Sequence, residues 1–221
     1  LCETAQEFHN TCEDLEALGL TEPNPRTFVD HLNVYDCSKV SDGAAGIAVL
    51  SEEGLERCGI SKKDAVEVLG WGQVEADLTV PPADPTELET SKRAVHQALG
   101  AAGVGLDKIG TVECHDCFTI SGLLSIEAIG FAGHGQGADY ILDGRTSRQG
   151  EVPFNTSGGL IGWGHPTGGT GVRQAVTAWQ QLTGKAGNWQ VEISLERPYA
   201  LSVNMGGNDK TVVAIVYRRA A

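Results

Sequence analysis

The chain has 221 residues, 41% of them apolar, and a formal net charge of −13 at pH 7. It can therefore bury a core of its own, and it lacks the basic field that a nucleic-acid surface needs. No apolar run reaches the roughly 20 residues of a membrane-spanning helix, and the six cysteines (2, 12, 37, 58, 114 and 117) follow no spaced framework, which suits reduced thiols in an intracellular setting.

In chain order, Ala5, Phe8, Cys12, Leu15 and Leu18 recur at helical spacing and predict a short amphipathic helix over residues 4–19, ended by Pro23 and Pro25. Ala44–Leu50, after an Asp42-Gly43 turn, reads as a buried strand, Glu53–Cys58 as one or two helical turns, and Ala65–Leu69 as another strand. Pro81, Pro82 and Pro85 mark an irregular loop before a helix from about Glu87 to Ala101. Asp107–Glu113 reads as a turn and a strand, and Thr119–Phe131 as a helix. Val172, Ala175, Val176 and Trp179 mark a further helix. Strands near Val191–Leu195, Ala200–Val203 and Val212–Tyr217 close the chain. Helices alternating with strands predict an α/β layered domain. The chain opens on Leu1 and its one methionine is Met205, so it is expected to be truncated, processed or partly represented.

Three segments carry candidate chemistry. Glu113-Cys114-His115-Asp116-Cys117-Phe118 lies where a strand ends before a helix, the place where sites gather in open α/β sheets. Its cysteines can equally be buried and inert, a thioredoxin-like Cys-x-x-Cys lacks the surrounding sequence, and a zinc site lacks a second ligand pair. Residues 155–171, Asn-Thr-Ser-Gly-Gly-Leu-Ile-Gly-Trp-Gly-His-Pro-Thr-Gly-Gly-Thr-Gly, form a glycine-rich loop with a lone His165. A P-loop would need Gly-Lys-Ser/Thr, which is missing. Asn155-Thr156-Ser157 also matches a glycosylation sequon, an accidental match in a protein of this type. Asn204-Met205-Gly206-Gly207-Asn208, between two strands, taken alone reads as a hairpin turn.

Taken together, these segments resemble the C-terminal half of thiolases. Asn-x-x-Gly-Gly followed by Gly-His-Pro-x-Gly-x-x-Gly is a specific signature of that family, and His115-Asp116-Cys117-Phe118 is similar to the version found in the sterol-carrier-protein type. Cys37-Ser38-Lys39-Val40-Ser41-Asp42-Gly43-Ala44-Ala45 resembles the segment with which thiolases leave their loop domain, so the likeness runs from about residue 31 to the end. It implies a thiolase fold, a layered αβαβα sandwich, with this chain holding mainly the C-terminal βαβαβ-type half. Residues 1–30 would be the tail of the loop domain, 31–60 the last strand region of the N-terminal domain, and 61–221 the C-terminal domain.

The likeness also implies a Claisen-type reaction on acyl-CoA through an acyl-cysteine. The nucleophile belongs to the N-terminal half, and no cysteine here matches it. Many thiolases carry a second catalytic cysteine where this chain has Asn204, and Cys117 is the expected replacement as acid/base. His165 would activate the nucleophile, His115 would serve one oxyanion hole and the Gly206 N–H the other, and Ser38 resembles a position touching the pantetheine arm. Coenzyme A enters as a substrate, and no cofactor or metal is expected. The expected partners are acyl-CoA and CoA, an N-terminal thiolase half, and a second copy in a homodimer or homotetramer. The location would be cytoplasmic in a bacterium, and mitochondrial, peroxisomal or glycosomal in a eukaryote. A non-catalytic acyl-CoA-binding subunit and a thiolase-fold aldolase or synthase are the alternatives.

Overall fold

The computed structural model describes residues 30–32 and 34–220. The helix expected over 4–19 lies outside them. Helix α1 (Glu52–Arg57) precedes strand β1 (Val66–Glu75), helix α2 (Glu89–Ala102), strand β2 (Ile109–Cys114) and helix α3 (Thr119–Ile129). Two short helices follow, α4 (Gly137–Leu142) and α5 (Gly159–Trp163), then the longer α6 (Thr170–Thr183) and a closing pair, β3 (Tyr199–Gly206) and β4 (Thr211–Arg219).

The sheet order is β1-β4-β3-β2, with β2 parallel to β3 and the other pairs antiparallel. Alternation along the strands decides what lies on each face. Val112, Cys114, Leu201, Val203, Val212, Ala214 and Val216 join the core built with Ala94, Val95 and Ala98 of α2 and Ile126 and Ile129 of α3. The intervening residues Ala200 and Tyr217 pack with Ala175, Ala178 and Leu182 of α6 on the opposite face. The result is a three-layer α/β unit, as the alternation of predicted elements required.

Local choices fix how closely the layers meet. At Gly72 a Cβ would overlap the carbonyl oxygen of Ala94, so α2 crosses β1 at backbone distance. The start of α2 has no cap of its own. Asp209, from the β3–β4 turn, supplies it: one carboxylate oxygen accepts the Thr90 N–H at 2.8 Å, and the other accepts the Ser91 N–H at 2.9 Å and the Ser91 hydroxyl at 2.6 Å. Along the outer edge of β2 the backbone of residues 153–155 forms a short parallel bridge to Val112, and the Asn155 side chain extends it, accepting the Cys114 N–H at 2.8 Å and donating to the Cys114 carbonyl at 3.1 Å.

Two predicted strands are corrected. Residues 44–50 form no strand, and Ile47 and Val49 are 55% and 83% exposed. No described strand runs beside them to supply a ladder. Residues 191–195 are irregular because a side chain of α6 takes the hydrogen bond that a ladder would offer: Val191 N–H donates to Gln181 Oε1 at 2.9 Å. Helices α4 and α5 were not anticipated.

Candidate active site

The end of β2 delivers Cys114, His115, Asp116 and Cys117 in succession, and their fates differ. Cys114 is part of the core at 2% exposure, and burial pushes its thiol well above the ordinary range. Cys117 is only half-buried and lies near the Ser121 hydroxyl, 4.0 Å from its sulfur. Burial also raises the Cys117 thiol, with Asp116 adding to the effect and Ser121 opposing it, so at neutral pH it is a protonated acid rather than a standing thiolate.

His115 is 5% exposed, and its Nδ1 meets Asn204 Oδ1 of β3 at 2.8 Å. Its ring stands edge-on to that of His165, with centroids 4.8 Å apart. Burial lowers both histidines below the ordinary 6.5, so both are uncharged at neutral pH. His165 Nδ1 lies 2.7 Å from the Thr170 hydroxyl, which donates its one proton to the Pro166 carbonyl at 3.2 Å. The hydroxyl oxygen therefore accepts from Nδ1–H, and the lone pair of His165 falls on Nε2, as a general base requires.

Residues 37–41 run across the front of these groups. Cys37 bridges Phe118, and the Ser38 N–H donates to the Cys117 carbonyl at 2.8 Å. Ser41 accepts the His165 N–H at 3.0 Å and donates to the Lys39 carbonyl at 2.8 Å. A cleft of about 390 Å³ opens beside them, between Ser41–Ala45 and Pro166–Gly169. Behind the histidines, Asp116 accepts the Leu160 N–H at 2.7 Å and so holds the start of α5, whose end leads into His165.

Residues 73–219 match the family described as Thiolase C-terminal domain-like. The chain belongs to the thiolase family. It is 33% identical over 89% of its length to an acetyl-CoA acetyltransferase of Methanothermobacter thermautotrophicus, covering 50% of that protein. It is 34% identical over 86% of its length to sterol carrier protein 2 of Rattus norvegicus, of which it covers 35%. It is 30% identical over 76% of its length to the benzoylsuccinyl-CoA thiolase subunit BbsB of Thauera aromatica, of which it covers 43%. The chain thus spans half or less of the length of these relatives. Among solved structures, an Ltp2-ChsH2(DUF35) aldolase aligns with TM-score 0.73 at 18% identity, covering 98% of this chain and 55% of that one, which bears on the fold alone.

Of the predicted site residues, the fold brings the His115 and His165 rings together, while Cys117 follows two residues after His115 with its backbone joined to Ser38. Gly206 ends β3 two residues after Asn204, which puts it on the strand that holds His115. Sequence reasoning did not single out Ser41, Thr170 or the structural role of Asn155. Ser and Thr hydroxyls bonding to nearby backbone are common enough to carry no signal by themselves. The Asn155 sequon is closed by the fold: Asn155 is 2% exposed and both ends of its amide are used by Cys114.

A buried acidic pair underlies the site. Glu113 and Asp116 are 3% and 2% exposed, and each leaves one carboxylate oxygen without a partner among the described residues. Burial raises Glu113 to about 8, against the pull of Arg173, and Asp116 to about 6, against the Leu160 hydrogen bond. Arg173, which also donates to the Ser157 hydroxyl at 3.1 Å, is the cation facing them.

Among the described residues no helix is long and apolar enough to cross a membrane.

Proposed function

We propose that the native protein is an acyl-CoA C-acyltransferase, catalysing thiolysis of a 3-ketoacyl-CoA or the reverse Claisen condensation through an acyl-cysteine whose sulfur comes from outside these residues. The observation that carries this reading is the meeting of the His115 and His165 rings, centroids 4.8 Å apart, just past the end of the strand that leads on to Cys117. In the first half-reaction His165 Nε2 takes the proton of the nucleophilic thiol. The thiolate attacks the thioester carbonyl, the carbonyl oxygen bears the negative charge, and CoA leaves as its thiol. In the second, for synthesis, Cys117 first passes its proton to His165 Nε2, free again once CoA has left, and its thiolate removes a proton from the α-carbon of another acyl-CoA. The carbanion attacks the acyl-cysteine, whose sulfur leaves and takes its proton back from His165. For thiolysis the same thiol gives its proton to the departing carbanion.

Donors for the charged oxygen come from His115 in one hole and the Gly206 N–H in the other. Ser38 borders the path of the pantetheine arm. The protein would act on lipid-derived thioesters as a homodimer or homotetramer within the cell, its C-terminal half paired with an N-terminal thiolase half.

Incubation of the native protein with acetoacetyl-CoA tests the reading. Gain of one acetyl group in the denatured mass, with CoA-dependent loss of acetoacetyl-CoA, is the expected result. Absence of both overturns it. Cleavage that proceeds without a CoA thiol as acceptor assigns the site to an aldolase instead.

A further inference from the structure

Asn204 stands where many thiolases carry a catalytic cysteine, and the structure gives it a different task. Its side chain lies between the His115 ring and the first turn of α6. The Oδ1 end meets His115 Nδ1 at 2.8 Å, and the Nδ2 end points at Gly171, 3.0 Å from where a Cβ would stand. In that orientation the NH₂ group has no acceptor among the described residues and lies against the first turn of a helix of 14 residues, whose opening N–H groups are themselves donors. A half-turn about the Cβ–Cγ direction exchanges two isosteric ends and removes the conflict. The oxygen then faces the α6 N-terminus, and the NH₂ donates to His115 Nδ1.

The exchange decides the chemistry of the ring. A carboxamide oxygen at Nδ1 demands Nδ1–H and leaves Nε2 a lone pair, which repels an oxyanion. An NH₂ donor at Nδ1 leaves the single proton on Nε2. His115 is uncharged at neutral pH, so it has one proton to place and Asn204 places it.

We propose that Asn204 is the positioning residue for His115, donating from Nδ2 to Nδ1 and so holding the ring as the Nε2–H tautomer that donates to the substrate oxyanion. This rests on the acyltransfer reading of the site. The two histidines are then complementary, His165 a base at Nε2 through Thr170 and His115 a donor at Nε2 through Asn204.

Nitrogen-15 spectra of the histidine-labelled native protein at neutral pH test this without turnover, the His115 signals being those lost in His115→Gln. The expected spectrum has Nε2 protonated and Nδ1 unprotonated. Asn204→Asp is isosteric but only accepts, so it should move the proton to Nδ1 and lower kcat for acyl transfer by about 10²–10³, as for a lost oxyanion donor, with KM little changed. Asn204→Cys should leave the ring unheld, with mixed tautomers and no recovery of rate. Nδ1–H in the wild-type spectrum, or an unchanged tautomer in Asn204→Asp, overturns the proposal even where acyl transfer is intact. The expected tautomer shift in a protein that never acylates upholds it and removes the acyltransfer reading instead.

Discussion

Gly159 and Asp116 share one space: a Cβ on Gly159 would overlap both carboxylate oxygens of Asp116, and Gly159 has φ +60°. The contact joins two motifs more than forty residues apart, because the same carboxylate accepts the Leu160 N–H at 2.7 Å. Gly159→Ala adds an atom where there is no room, at a backbone angle that disfavours side chains. Strain of this kind costs about 1–3 kcal/mol, before any cost of displacing a buried carboxylate. The expected result is a melting temperature several degrees lower, with acylation reduced because His165 follows α5. A variant that melts with the wild type would show that Asp116 moves aside freely.

Cys117 is the half-buried thiol and Cys114 the core one, which separates their substitutions. Cys117→Ala is expected to abolish condensation while acylation of the nucleophile by acetyl-CoA survives, since the α-proton step needs the thiol and the first step does not. Losses of about 10²–10⁴ are usual for a general acid/base. The two half-reactions can be followed by intact mass and by product formation, and equal loss of both would reject the role.

The sequence made some of this site legible and not the rest, for physical reasons. Val172, Ala175, Val176 and Trp179 are spaced for a helix face, and α6 is there. Alternation at Ala200–Val203 and Val212–Tyr217 likewise located β3 and β4. The motifs around His115 and His165 stand fifty residues apart in the sequence, and the fold sets the two rings 4.8 Å from each other. Helix α5 was hidden because glycine lowers helix propensity, and what holds it is a carboxylate from β2, a long-range contact without a local signal. The Asp209 cap on α2 is the same kind of case, since its partners are more than a hundred residues away. Residues 44–50 have the composition of a strand, yet a strand exists only with a ladder partner, which composition does not provide.

His165 acts as a base only if its Nε2 lone pair is free, and Thr170 arranges that. His165→Ala should suppress acylation itself by about 10²–10⁴. Thr170→Val keeps the shape and removes the hydroxyl, releasing the tautomer, and should lower the acylation rate on the order of tenfold, the worth of one good hydrogen bond. Because burial lowers the imidazole below 6.5, the acid limb of the acylation profile should fall below that pH. Single-turnover acylation across pH measures both effects. A Thr170→Val profile that overlays the wild type would leave the tautomer unassigned to Thr170 and reject the coupling.

Glu113 gives the protein a pH dependence of stability whose direction follows from its burial. The unfolded carboxyl titrates near 4.5 and the folded one near 8, so between those values the folded state binds more protons than the unfolded state. Stability therefore falls as pH rises through that window, by at most about 1.4 kcal/mol per pH unit, and Arg173 softens the slope. Asp116 adds a smaller fall between 3.8 and about 6. Glu113→Gln removes the ionisation and keeps the shape. Its melting temperature should match the wild type near pH 4.5 and rise progressively above it toward pH 8, with the difference levelling off beyond. Melting curves taken across that range decide the matter: parallel profiles for the two proteins would mean that Glu113 is ionised in the fold and that Arg173 fully neutralises it.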